Sequence, residues 1–277
     1  MKDSYTKIII KDNVRIYLND FQKVTQDILD IHKYTPLASL ILANGITTFG
    51  TLGFLYDIEK VSILMKTNGA MKTFALEFKG GGIRALLGDG TVITEYDNNK
   101  LHNTIPLILG IGDEGVVRVS RFIQGSPYTS EVQIANGDMI TDLVYYLNKS
   151  DQIFSAILND VWLNEDNHLK VDRAKSVLFQ LLPNHTEEDI LWIENLIKEV
   201  DFKKTTIEDY LKIIDGKELI EHQILAKCDC TSKKMLNAIN LLSQNEKEEM
   251  IEQGEDIEIK CDFCLKSIKI KVDNISK

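Results

Sequence analysis

A chain of 277 residues contains four cysteines, and all four fall between Cys228 and Cys264. They stand as two tight pairs, Cys228-Asp-Cys230 and Cys261-Asp-Phe-Cys264, separated by thirty residues. Four soft thiolates in two close pairs can close a tetrahedral shell around zinc, with metal–sulfur distances of about 2.3 Å. Each pair supplies two ligands from one short turn, and the intervening chain folds back to bring the pairs together. Cys228, Cys230, Cys261 and Cys264 are therefore the candidate ligands of one Zn2+ per chain. The N-terminus, MKDSYTKIIIKDNVRIY, has too short an apolar run for a secretory core of roughly 7–15 residues. Thiols in a chain without an export signal read as metal ligands or redox groups rather than as a disulfide framework. A cytoplasmic location is expected.

The residues around the thiols add detail. Ser232–Leu242 and Glu246–Gly254 have helical spacing. Thr231 is placed to cap the first helix, which would set Cys230 beside a helix N-terminus whose amides favour thiolate. Ile257–Ile259 and Ile268–Ile270 alternate as a strand pair around the Cys261–Cys264 turn. A single residue between Cys228 and Cys230 is tight for an ordinary zinc ribbon, and it lets the two sulfurs reach each other if the metal leaves. A unit of about sixty residues has little core of its own, whereas structural zinc supplies roughly 10–16 kcal/mol of apparent folding free energy. This segment is expected to fold on its metal.

Upstream, the texture is that of a globular domain. The chain is 44% hydrophobic and 27% charged, with only 4 Pro, so it carries enough apolar surface to offset the entropy of ordering. A net charge of -10 argues against a protein that coats phosphate backbones. Residues 217–277 hold 10 Lys against 12 Asp and Glu, so the thiol segment offers no basic footprint either. Residues 4–18 read as a hairpin around Lys11–Asn13, and Asn19–Lys33 as a helix. Tyr34–Tyr56 has no charged residue and is long enough to cross a bilayer. It also carries four Thr, a Ser, an Asn and three Gly, so a helix buried in a core, with Thr35 as N-cap and Pro36 as first helical residue, is the expectation. From Val61 to Ala135 strands dominate: two flank Asn68-Gly69 as a hairpin, then come IRALLG, TVITEY, VVRVSRF and 132–135. Met139–Leu147 reads as a helix and residues 176–183 as a closing strand. Thr186–Val200, with a capping-box pair Thr186/Asp189, and Thr205–Ile214 read as helices. Their apolar faces (Ile190, Ile193, Leu196, Ile197; Ile207, Leu211, Ile214) need a partner to cover them.

Several patterns suggest enzymes without supporting one. Gly110-Ile-Gly112-Asp-Glu-Gly115 matches a dinucleotide fingerprint, but a strand sequence follows where that fingerprint needs a helix; a glycine-rich hairpin connection is expected. Gly80-Gly81-Gly82 lacks the Lys-Ser/Thr of a phosphate loop and reads as a turn. Of five scattered histidines, only His222 lies near the thiols in sequence, as a bystander. The Glu246–Glu252 cluster reads as the solvated face of a helix. No enzyme is expected.

The thiol pattern at this position resembles the 33-kDa heat-shock chaperone family of bacteria. RIYLND, TPLASLILANG, VSILMKTNGAMKTFALEF, YYLNKSDQ and FQLLP look like its landmarks in order. The resemblance implies an α+β fold: an N-terminal mixed α/β domain with a large β-sheet and packed helices (1–183), a helical linker (184–216) and a small C-terminal zinc-binding domain (217–277). It implies a redox-regulated, ATP-independent holdase for thermally unfolding and oxidatively damaged proteins, zinc-bound and inactive when reduced. Oxidation would form Cys228–Cys230 and Cys261–Cys264 disulfides, release zinc and unfold the linker, and the protein would dimerise and hold unfolded clients. Each such disulfide closes a loop of three or four residues, about 1.5–2 kcal/mol by loop entropy, far less than the metal supplies. VDRAKSV (171–177) departs from the family's usual Gly-Gly, and SDQIFS (150–155) from its SEQ-x-PS pattern. Nucleic acid and membrane are not expected partners. The alternatives are a zinc-binding nucleic-acid or protein adaptor without redox switching, and a thiol oxidoreductase, whose CxxC would be expected at a helix N-terminus rather than after a strand.

Overall fold

The computed structural model describes residues 3–56, 58–92, 103–240, 242–245, 247–248 and 257–270. It divides into two compact units, Met1–Ala226 and Lys227–Lys277.

The first unit begins with the expected hairpin. Strands β1 (Ser4–Lys11) and β2 (Val14–Asp20) pair antiparallel around Asp12, whose positive φ of 50° closes the turn. Helix α1 (Gln22–His32) follows, then α2 (Pro36–Phe49) and the single turn α3 (Leu52–Leu55). The uncharged stretch is the core helix the polar residues suggested: within Pro36–Leu55, 89% of its most apolar window is buried inside the fold. Thr35 does precede the first helical residue, but its hydroxyl makes no cap. It donates instead to the Val92 carbonyl at 2.7 Å, tying a loop to the helix start.

Strands β3 (Lys60–Thr67) and β4 (Thr73–Lys79) form the hairpin around Asn68-Gly69, with five residues rather than two in the connection. The loop is long because it grips the glycine-rich segment: the Gly69 and Met71 amides donate to the Ile111 and Gly110 carbonyls. β5 (Gly82–Leu87) follows a turn in which Gly80 and Gly81 both have positive φ. The fingerprint-like glycines give no nucleotide loop and no hairpin. Gly110 lies in a single turn, α4 (Ile108–Ile111), Gly112 ends that turn at φ 83°, and Gly115 opens β6 (Gly115–Ile123), which pairs with β7 (Ser126–Gln133). Most of TVITEY lies outside the described residues.

Helix α5 (Met139–Tyr146), capped by Asp138, runs into a π turn at Leu147–Asp151. The buried Asp151 there accepts from the Tyr56 hydroxyl and pairs with Arg121 at 3.2 Å. Strand β8 (Ser155–Leu163) has no counterpart in the sequence expectations, because Asn159-Asp160 breaks its apolar alternation. Asp160 tolerates burial there because Arg173, on the neighbouring β9 (Val171–Leu181), pairs with it at 2.8 Å. Helix α6 (Glu187–Glu199) has the expected capping box of Thr186 and Asp189, and α7 (Ile207–Ile214) is capped by Thr206, which accepts from the Asp209 amide. Strand β10 (Lys217–Ala226) closes the unit.

Ten strands make one sheet in the order β7-β6-β3-β4-β5-β10-β1-β2-β9-β8. All pairs are antiparallel except β5–β10, which is parallel and confined to Leu225↔Gly82 and Ala226↔Ile83. Strands β1, β2 and β9 are apolar on both faces, and each face has its own cover. Tyr17, Ala174 and Leu178 belong to a core with α1 and α2, whereas Ile9, Ile16, Leu18, Val177 and Phe179 pack with Ile193, Leu196, Ile207, Tyr210 and Ile214 of α6 and α7. The segment expected as a linker is thus the second cover of the sheet. The first ten residues of the expected thiol segment, Lys217–Ala226, are a sheet strand, because they pair with β1 over the span Ser4–Ile10.

Candidate metal centre

In the second unit the backbone builds two short turns that present sulfur. The first leads into α8 (Ser232–Asn240), and Thr231 caps it as expected, accepting from the Lys234 amide at 3.2 Å. Asp229, between the two cysteines, is turned away by Lys234: the ammonium donates to the Asp229 carboxylate and, at 3.0 Å, to its carbonyl. The second turn sits at the end of the expected strand pair, β11 (Ile257–Lys260) and β12 (Ser267–Ile270), in register from Ile257↔Ile270 to Lys260↔Ser267. The Cys261 amide donates to the Lys266 carbonyl at 2.9 Å, and the Leu265 amide donates back to the Cys261 carbonyl at 2.8 Å. Leu265 adopts φ 56° to make that closure. The helix expected over Glu246–Gly254 and its acid cluster fall largely outside the described residues.

Cys228, Cys230, Cys261 and Cys264 come together, all half-buried, with every sulfur within 4.8 Å of every other. Two sulfur contacts run between the turns: Cys228 to Cys261 at 3.7 Å and Cys230 to Cys264 at 3.4 Å. A regular tetrahedron with bonds of about 2.3 Å has sulfur–sulfur edges of about 3.8 Å, so these residues fit a tetrahedral thiolate-bound ion. Among the described residues this is the group that could hold a metal. His222 is elsewhere: it lies on β10, its ring 5.2 Å from that of Phe54.

Electrostatics correct one expectation. The helix N-terminus does not make Cys230 acidic. Its thiol is pushed up to about 12, first by its hydrogen bond with Cys264, then by burial and by Cys228. Cys261 is raised as well, chiefly by burial, although the amides of Cys264 and Phe263 pull it down. Crowded thiols resist ionising together because each thiolate repels the next. A divalent cation reverses that preference, since a coordinating thiol is deprotonated outright.

Two polar contacts fasten α6 and α7 to the sheet, Asn13 with Asp189 and Lys175 with the Phe202 and Thr205 carbonyls, and the sequence singled out neither. Asp189 accepts from the Asn13 side chain at 3.1 Å and from the Thr186 amide at 2.7 Å, and these bonds hold its carboxyl below the usual range, the Thr186 amide first. Lys175, buried on β9, donates to the carbonyls of Phe202 (2.8 Å) and Thr205 (2.6 Å), in the connection between the two helices. Its burial lowers its pKa, with Asp160 opposing. A lysine inside VDRAKSV carries no sequence signal for such a role, because its partners are main-chain carbonyls.

The comparisons with known proteins agree with one another. The family described as Hsp33 protein matches residues 3–271. The 33 kDa chaperonin of Clostridium perfringens strain SM101 is 25% identical over 292 residues, covering 100% of this chain and 91% of the relative. That of Acholeplasma laidlawii is 24% identical, covering 100% and 98%. The crystal structure of the 33 kDa chaperonin from Thermotoga maritima superimposes with a TM-score of 0.84 at 22% identity, over 99% of this chain and 97% of that one.

Proposed function

Since the chain belongs to the Hsp33 family, a family of chaperones, we propose that it is a redox-regulated, ATP-independent holdase. In this reading it is cytoplasmic, and it keeps thermally unfolding and oxidatively damaged proteins from aggregating. The observation that carries the proposal is the set of four half-buried sulfurs within 4.8 Å of one another. In the reduced protein Cys228, Cys230, Cys261 and Cys264 hold one Zn2+, which supplies folding free energy to the second unit.

Oxidation removes that support. Each pair of thiolates gives two electrons to one hydrogen peroxide, which takes up two protons and leaves as two waters. The products are the Cys228–Cys230 and Cys261–Cys264 disulfides and a released ion. Two such short loops return about 1.5–2 kcal/mol each against roughly 10–16 kcal/mol for the ion, so the second unit unravels. Residues 184–216 then leave the sheet, exposing the apolar side chains they covered, and the acidic chain keeps the open form soluble. Clients are unfolded proteins, and the oxidised form dimerises.

The test is zinc content and client aggregation measured together. Reduced protein should carry about one zinc per chain and leave a denaturing test protein to aggregate. Peroxide under mild heat should release the zinc and suppress the aggregation. Zinc release with aggregation unchanged contradicts the holdase.

A further inference from the structure

Strand β10 has an odd position for a sheet strand. It is the only described link between two antiparallel halves, β7-β6-β3-β4-β5 and β1-β2-β9-β8. On one side it pairs with β1 from Ser4↔Ile224 to Ile10↔Lys217. On the other it meets β5 only at Leu225 and Ala226, so residues 217–224 have no described strand along that side. It also buries little. Ile224 is its one buried side chain, while Leu219, Ile220 and Leu225 are exposed by 47%, 46% and 57%. Beside it lies a cleft of about 640 Å³ bordered by Ile8, Phe54, Phe78, Leu219, Ile220 and His222. In sequence, β10 runs directly from α7 through Gly216 and ends two residues before Cys228. A strand held mainly by backbone bonds, with a helix that leaves on one flank and a thiol centre that unravels on the other, has little to keep it in place.

We infer that β10 is a removable strand that fills the docking slot for clients, and that an extended segment of an unfolded protein takes its place on the edge of β1. The inference rests on the holdase reading and adds where and how a client binds. The slot's present occupant defines what fits it: an extended, proline-free segment with an apolar residue facing the first core, where Ile220 lies opposite Ile8 and Ile224 opposite Ser4. Vacating the slot frees a β1 edge that was paired over seven positions. An exposed edge of that length recruits another strand through main-chain hydrogen bonds, which tolerate many sequences. The cleft receives the side chains. Charge is a minor determinant, since the Lys7 pairs with Glu218 (3.3 Å) and Glu221 (3.0 Å) are surface ion pairs worth little.

Hydrogen exchange of the β1 amides that face β10, within residues 4–10, tests this on the full-length chain. They should be protected in the reduced, zinc-loaded protein and exchange about tenfold faster or more once it is oxidised. Adding an unfolded client should restore their protection. A synthetic peptide of residues 217–226 in excess should restore it too and release the held client, whereas the same peptide with Ile220→Pro and Ile224→Pro, unable to complete the ladder, should do neither. Unchanged β1 protection on oxidation overturns the inference, as does a client held without re-protection or a proline peptide that competes equally. If oxidised protein holds no client, the holdase reading falls, and the peptide pair still decides whether β10 occupies an exchangeable slot.

Discussion

The two units are stabilised by different physics. Met1–Ala226 has a ten-stranded sheet with apolar side chains on both faces of its central strands and a separate helical cover on each. In Lys227–Lys277, Met235 is the one buried hydrophobic side chain among the described residues, and the two strands of its ladder are four residues each. What converges in the smaller unit is sulfur. One unit draws its stability from many small dispersion and hydration terms, and the other, in the proposed reading, concentrates it in a single centre that chemistry can remove. The proposed switch needs that asymmetry, because its sensor must fail while the rest of the chain stays folded.

The largest effect should come from the centre itself. Cys261→Ser removes one of four ligands, and the second unit should lose its metal and with it about 10 kcal/mol of folding free energy. Zinc content and amide exchange over 227–270 report it, and the amides of β3, β4, β8 and β9 should be unaffected. Phe74→Ala breaks the comparison from the other side. Phe74 is fully buried and 5.8 Å from Phe49 on α2, so its loss should cost the first unit about 3–5 kcal/mol with zinc content unchanged.

Lys175→Met sharpens the boundary between body and switch. It leaves the Phe202 and Thr205 carbonyls without their donor, at a cost of about 2–4 kcal/mol. Exchange over 184–216 should rise, and holding activity should appear in reduced protein that keeps its zinc. The smallest effect belongs to Asp189→Ala, about 1 kcal/mol through loss of the capping box. Its carboxyl is held low in the folded state, so its contribution is present above the unfolded value of about 3.9 and fades as pH falls below it. Thermal scans of wild type between neutral pH and that range should show α6 loosening as the medium becomes acid, and Asp189→Ala should flatten the trend.

How much of this was legible in the sequence follows the same division. The pairing of the four cysteines into one cluster, the Thr231 cap and the strand pair around Cys261–Cys264 were readable because each depends on a few neighbours in the chain. So was the capping box of α6, set by Thr186 and Asp189. Strand β8 was hidden because Asp160 sits where alternation demands an apolar residue, and the cross-strand Arg173 and Lys175 make it tolerable. β10 was hidden because its side chains are mostly exposed and its place depends on backbone pairing with a strand about 210 residues away. The acidity expected for Cys230 failed for a related reason. A helix N-terminus is a local signal, whereas the Cys264 thiol that dominates it arrives from the other turn.

The central claim is that the thiol centre alone keeps the second unit folded while the sheet stands without it. Limited proteolysis of peroxide-treated, metal-depleted protein, with cleavage sites mapped by mass, tests it most directly. Cuts should appear rapidly throughout residues 227–277 while the β1–β9 region stays intact. Material that has lost its zinc and still resists cleavage in that tail as well as the untreated protein does would contradict the account.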